Sequence, residues 1–260
     1  MVPKSKGNRL SVEAWETESL RFTAFPIPVS PIEDVGWWRS ILGQPPEVEV
    51  KRAREGGIRA EGSFEGGRLI LETLPFRIDL RLIPSPELAS TTSGFATIGK
   101  FVEITQPFAQ VMNRWLSLDS RPEIQRIAFG AVLLASVDSR ESGYRQMAAY
   151  LPSVDIDTEH STDLVYQINR PRKSKTRVAD LRINRLTKWS VVVVVGGDFF
   201  VESEEIGYRK RLEKYAACRL ELDISTNVGK QEPLPRDKIA RILSEFMDVA
   251  EEIVIEGDIP

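Results

Sequence analysis

Cysteine and histidine are almost missing from this sequence, which holds one of each, Cys218 and His160. A lone cysteine closes no intramolecular disulfide, so a disulfide framework is excluded and a reducing compartment fits. Catalytic zinc draws three protein ligands, commonly histidines, and one His with one Cys does not supply them. Any Ser–His or Cys–His catalysis would have to run through His160. Long apolar runs are missing too. The longest, Ser190 to Val195, is a few residues of mostly valine, far short of the ~20 that span a bilayer. Lys4, Lys6 and Arg9 are followed by no apolar stretch, so the reading is of no secretory signal, no membrane partner and a cytoplasmic location. No Gly-x-x-x-x-Gly-Lys-Ser/Thr loop, Gly-x-Gly-x-x-Gly turn or Gly-x-Ser-x-Gly elbow occurs, so P-loop hydrolysis, dinucleotide binding and the common serine-hydrolase layout lack their signals. No cofactor is expected.

What is present is ordinary for a soluble globular chain: 260 residues, 42% hydrophobic and 28% charged. The net charge of −3 argues against wholesale coating of nucleic acid, while leaving room for a local basic site. Leu20, Phe22 and Ala24 alternate with polar residues and predict a strand. Ser30-Pro31 then caps a helix that runs through Ile32, Val35, Trp38 and Ile41 and stops at Gly43. Strands follow at Val48–Val50, Ile58–Phe64, Leu69–Leu74 and Phe76–Leu82, with glycine turns at Gly56-Gly57 and Gly66-Gly67. Helical spacing of Phe101, Ile104, Phe108, Val111 and Trp115 predicts a long helix that Pro107 kinks or splits.

The second half repeats this order. A long strand is expected over Ile124–Ser136, then a short helix capped by Asp138 or Ser139 and carrying Tyr144, Met147 and Tyr150. Strands come next at Asp163–Asn169, Arg177–Leu186, Trp189–Val195 and Cys218–Ile224. A last helix carries Ile239, Ile242, Leu243, Phe246, Val249 and Ile253. The expected fold class is therefore α+β, with two similar halves, each an antiparallel sheet with a long helix packed on one face. The halves would cover 18–120 and 121–260, after a flexible N-terminus over 1–17. A chance coincidence of two α+β patterns is the alternative reading, and whether the sheets join is open.

Several constellations bear on function. Between Asn169 and Lys188 stand Arg170, Arg172, Lys173, Lys175, Arg177, Arg182, Arg185 and Lys188 against one acid, Asp180. This reads as an exposed hairpin tip, and the candidate nucleic-acid-binding residues are Arg170, Arg172, Lys173, Lys175, Arg177 and Arg185, with Tyr166 and Trp189 as stacking faces. The competing reading is a solvated loop that discourages edge pairing. Asn169 and Asn184 each sit where an apolar strand meets charge, a place for side-chain bonds to unpaired backbone. Asp155, Asp157, Glu159 and His160 have the oxygen spacing of a cation site but lack the glycine turn and distal glutamate of a calcium loop, so a solvated connection is favoured. Asp34 with Glu49-Val50-Lys51 mimics the acid, acid and lysine set of a Mg²⁺-dependent nuclease, a pattern that also arises by chance on strands. Cys218, inside an alternating strand, reads as a core thiol. Trp37, Trp38 and Trp115 are candidate protein-interface anchors, because adjacent tryptophans on one helix do not both face one core comfortably.

The segments Tyr166-Gln167-Ile168-Asn169-Arg170-Pro171-Arg172, Leu181-Arg182-Ile183-Asn184-Arg185-Leu186 with Trp189-Ser190, and Leu220-Glu221-Leu222-Asp223-Ile224 before the last helix resemble a sporadically distributed family of uncharacterised bacterial proteins of similar length. Phe25-Pro26-Ile27-Pro28 and Trp37-Trp38 fit it more loosely. The resemblance covers most of the chain through short, non-catalytic motifs. It implies an accessory protein of mobile or antiviral defence loci and carries over no catalytic residue. The expectation is a non-enzymatic adaptor or accessory subunit that binds a protein partner, with nucleic-acid binding and a Mg²⁺ nuclease as rivals.

Overall fold

Alternation of apolar residues builds the strands here, and the side that each apolar residue takes decides which face of the sheet is buried. The structure, a computed structural model, describes residues 9–27, 36–52, 57–86, 94–196, 213–227 and 232–259. A 3₁₀ turn at Val12–Ala14 leads into β1 (Glu16–Pro26), α1 (Trp37–Leu42), β2 (Val48–Arg52), β3 (Gly57–Phe64), β4 (Gly67–Leu74), β5 (Arg77–Pro84) and α2 (Phe101–Leu116). Then come β6 (Ile124–Val137), α3 (Arg140–Tyr150), β7 (Val165–Asn169), β8 (Arg172–Lys173), β9 (Arg182–Gly196), β10 (Glu213–Thr226) and α4 (Arg236–Glu256). The fold is α+β. Among the described residues, no helix is long and apolar enough to cross a membrane.

All strand pairings among the described residues are antiparallel and join into one ten-stranded sheet, in the order β2-β3-β4-β5-β1-β6-β10-β9-β7 with β8 beside β9. The separate sheets allowed by the sequence are thus one. The join is the pairing of β1 with β6, where Phe22 faces Phe129 and Leu20 faces Ala131. The meander β2 to β5 attaches to β1 on one side, and β10, β9 and β7 attach to β6 on the other.

The helices gather on one face. Phe22 of β1 meets Trp115 of α2 edge-on at 5.9 Å, and Trp115 meets Trp37 of α1 at 5.7 Å. Cys218 of β10, on the same side as Leu220 and Ile224, donates to the Gly143 carbonyl of α3. Arg185 of β9, opposite Ile224, reaches Glu252 of α4. A second aromatic group, Trp15, Tyr150 and Trp189, lies under α3, with Tyr150 and Trp189 stacked at 5.3 Å.

Several expectations are corrected. Trp15 is fully buried and β1 begins at Glu16, so residues 9–17 belong to the fold; the polar stretch hid one large core side chain. Phe76 lies in the turn before β5 and is 68% exposed, so the strand's apolar alternation begins at Ile78. The two strands expected on either side of Thr187-Lys188 are one, β9. Thr187 continues the inward side and is buried, while Lys188 continues the outward side and pairs with Glu221. Helix α2 runs unbroken through Pro107, held by the buried row Ile104, Phe108 and Val111. Ser139, of the two caps considered, accepts from the Ser142 N–H at the start of α3. The Ser30-Pro31 helix start lies outside the described residues, as does Gly56.

Trp115 touches two aromatic partners in the core and is fully buried. Trp115→Ala is expected to cost about 3–5 kcal/mol through lost burial and the cavity left behind, read as a lower urea midpoint with an unchanged slope.

Candidate binding face

Among the described residues, no helix lies on the opposite face of the sheet, where Thr23, Ile70, Glu72 and Asp79 are nonetheless buried. In β1, Leu20, Phe22 and Ala24 enter the core, while Ser19, Arg21 and Thr23 take the other side. Register carries this alternation across the sheet. One lateral row reads Ile70, Arg81, Arg21, Gly130, Asp223 and Leu186, from β4 through β5, β1, β6 and β10 to β9. Arg21 and Arg81 stand directly opposite each other, a like-charge contact that destabilises unless each has its own carboxylate. Each has one. Arg21 donates to Asp223 at 3.3 Å and Arg81 donates to Glu72 at 3.1 Å. Gly130 lies between Arg21 and Asp223 in the row, and the Arg21 guanidinium passes over it at van der Waals distance from where a Cβ would stand, 3.5 Å from Nε.

The rest of the face follows the same rule. Arg59 pairs with Glu61, Arg77 with Asp79, Lys188 with Glu221, and Arg219 with both Glu18 and Glu221. Arg126 instead lies over the Phe25 ring and donates to Ser225. The more exposed pairs, such as Arg21 with Asp223 and Lys188 with Glu221, contribute at most about 1 kcal/mol each, whereas the Asp79 and Glu72 carboxylates are buried beside their arginines. Between the pairs runs a groove of about 390 Å³, lined by residues of β5, β1, β6, β10, β9 and β7, including Arg21, Ile83, Val132, Gln167 and Leu186. It adjoins a second hollow of about 690 Å³ walled by Pro84, Phe95 and Val194, and Ser19 and Ile83 line both.

The basic hairpin divides into two groups. Arg170 donates through Nε and Nη2 to both oxygens of Asp258, at 2.5 and 2.7 Å. Asp258 is buried and also accepts from Tyr166 and Ser153. The Arg170 bonds, with help from those two hydroxyls, hold the Asp258 carboxyl below the usual aspartate range against the opposing effect of burial. Arg172 donates to Glu252 of α4. Arg185 is 5% exposed and donates to the backbone oxygens of Arg170 and Ile259, and burial pushes its guanidinium below the ordinary arginine value. These arginines are thus engaged by α4 and the segment after it, Arg170 and Arg172 through ion pairs and Arg185 through burial and backbone bonds. Gly257 makes the geometry possible. Its φ of +80° turns the chain back to Arg170, and a Cβ there would collide with the Tyr150 carbonyl. Lys173, Lys175 and Arg177 stay exposed at the tip, with Arg177 at a φ of +60°.

The tryptophan candidates are all interior. Trp37, Trp38 and Trp115 are 1%, 3% and 0% exposed. An interface anchor must offer its ring to solvent before a partner arrives, and these rings serve the core. Both adjacent tryptophans find cover because α1 is clamped on two sides. Trp37 meets Trp115 and donates to Ser120, and Trp38 lies over Gly62, whose missing side chain leaves the room.

The remaining candidates are structural. Asn169 accepts from the Arg185 N–H and donates to Asn184, as strand-end asparagines do. Asp157 accepts from the Glu159 and His160 N–H groups and contacts the His160 ring, which makes it the cap of an exposed turn. Glu49 and Lys51 are exposed on β2, an edge strand, and Asp34 lies outside the described residues. Among the described residues, no group of three His, Cys, Asp or Glu side chains could hold a metal ion. Cys218 is a core thiol, 1% exposed, and burial pushes its pKa up to about 12.

Sequence reasoning missed Asp258 and Glu245. Glu245 sits buried on α4 and accepts from the Ser174 hydroxyl and the Lys175 N–H. Its signal was a carboxylate inside the apolar stripe between Ile242 and Val249. Asp258 left no local signal, since its partners lie about ninety residues earlier. Compared with models of known protein families and with curated proteins, the sequence matches none.

Two outcomes follow. Because its folded-state pKa is depressed, Asp258 adds stability above the unfolded-state value, and that stability is lost as pH falls through the lower folded-state value. Asp258→Asn is expected to cost about 1.5–3 kcal/mol at neutral pH, with the difference from wild type closing in acid; urea melts at stepped pH measure it. Cys218, held as the neutral thiol, is expected to resist a thiol-reactive disulfide reagent in the native state and to react once the chain is denatured, followed by absorbance.

Proposed function

We propose that this chain is a non-enzymatic binding protein, an adaptor or accessory subunit, whose protein partner docks on the uncovered face of the sheet. The observation that carries this reading is the groove lined by six strands on a face that no helix covers among the described residues. The six strands that line the groove, abreast at ~4.8 Å and each showing about 17 Å of length, make a face on the order of 500 Å². That is about half of the ~1,000 Å² in total at which a specific protein interface begins. The charge pattern favours a protein over a polyanion. Most arginines and the lysine on this face have a carboxylate beside them, so a phosphate backbone would meet alternating attraction and repulsion. A protein surface of mixed charge, with apolar residues set to meet Ile83, Val132 and Leu186, fits better.

The former interface candidates, Trp37, Trp38 and Trp115, hold the scaffold beneath that face in this reading. The exposed tip residues Lys173, Lys175 and Arg177 are what remains to support nucleic-acid binding. The reading of two similar halves rests on the matched order of strand, helix, strands and long helix on either side of the β1 and β6 seam. A role in a bacterial defence complex rests on the family resemblance of the sequence motifs.

The test is affinity capture from the native host, with and without nuclease, using wild type and Ser19→Trp. Ser19 lines both hollows, so an indole there fills the groove. The expected result is a protein retained by wild type despite nuclease and reduced at least about tenfold by Ser19→Trp, with an unchanged thermal midpoint. Equal retention by the variant would remove the sheet face as the site, and loss on nuclease treatment would favour the hairpin tip.

A further inference from the structure

β2 forms one edge of the sheet and pairs only with β3 among the described residues. An edge strand presents unpaired N–H and C=O groups and is a template for another strand unless it is blunted. β2 holds no proline, and its blunting rests on short length and on charge, which repels an arbitrary strand but not one of complementary order; its side chains divide into two kinds. Val48 and Val50 are 40% and 47% exposed on the face away from the helices. Glu49 and Lys51 are exposed on the other face, because α1 covers β3 through Trp38 and Gly62 and does not reach them. Among the described residues, neither Glu49 nor Lys51 makes a side-chain hydrogen bond or ion pair.

We propose that β2 pairs antiparallel with β2 of a second copy of this chain, about a twofold axis at Val50. The order Glu49-Val50-Lys51 is self-complementary in that register. Glu49 stands opposite Lys51 of the second copy, Lys51 stands opposite its Glu49, and Val50 meets Val50. Both ion pairs fall on one face and the valine contact on the other, since successive strand residues alternate sides. The contact is isologous and closes at two subunits. The opposite edge is formed by β7, which carries Val165, Tyr166, Gln167, Ile168 and Asn169 and no charge, and by β8, whose Arg172-Lys173 is of one sign and not self-complementary. A β2 to β7 contact would be head-to-tail and would give an open chain of copies. The result of the β2 pairing is a continuous sheet of twice the strand number, with the uncovered faces of both copies on the same side.

The test is sedimentation velocity with light scattering on the full chain over a concentration series. Wild type is expected to form a dimer that weakens with added salt. Glu49→Lys and Lys51→Glu each place like charges opposite one another twice and are expected to raise the dimer dissociation constant about tenfold or more. Combining both changes restores opposite charges and is expected to restore the dimer, which shows that the single variants fold. A monomeric wild type, a dimer indifferent to both single changes, or a double variant that stays monomeric would each overturn the proposal. So would open-ended assembly that ignores these residues, which would assign the edge contact to β7 instead. Partner capture by Ser19→Trp reads out separately, so the dimer and the binding face fail independently.

Discussion

The antiparallel pairing of β1 with β6 is the contact on which the rest of the architecture depends. It sets Phe22 beside Phe129 and Leu20 beside Ala131, and it fuses two meanders into one sheet. Because side chains alternate, the same register that sends these residues into the core sends Arg21, Thr23 and Gly130 outward. A slip of one residue would exchange the two sets and bury a guanidinium. The helix layer is the energetic counterpart. Helices α1 to α4 cover the apolar side, and the two aromatic groups, Phe22 with Trp37 and Trp115, and Trp15 with Tyr150 and Trp189, fill the space between sheet and helices.

Among the described residues, much of the charge is paired within the molecule. The hairpin that is most basic in sequence gives Arg170, Arg172 and Arg185 to carboxylates and carbonyls of α4 and the segment behind it. On the open face, arginines and carboxylates lie side by side within and across strands, so opposite charges offset one another locally. A sequence window counts charges along the chain, whereas recognition depends on which of them have no partner in space.

That distinction explains how much could be read in advance. Strand and helix identities followed from periodicity, including the long helices and the strands carrying Leu20, Phe129 and Leu222, because one buried face imposes its period on the sequence. The strand break expected at Thr187-Lys188 was misplaced because two polar residues in succession look like a turn, although each can serve a different face. The tryptophan pair was misread because its second neighbour, Gly62, lies in another strand and is silent in sequence. The candidate face itself was not legible. It is assembled from single residues of many strands, each an ordinary polar position, and only the strand order brings Arg21, Gly130 and Asp223 into line.

The Glu245 carboxylate has a mechanical consequence. It grips the hairpin at Ser174 and Lys175 from the middle of α4, while Arg172 holds the same helix one or two turns further along, at Glu252. Two separated rivets stop the hairpin from pivoting on the helix. Contacts seven residues apart on α4 therefore set the direction of the hairpin along the helix as well as its position.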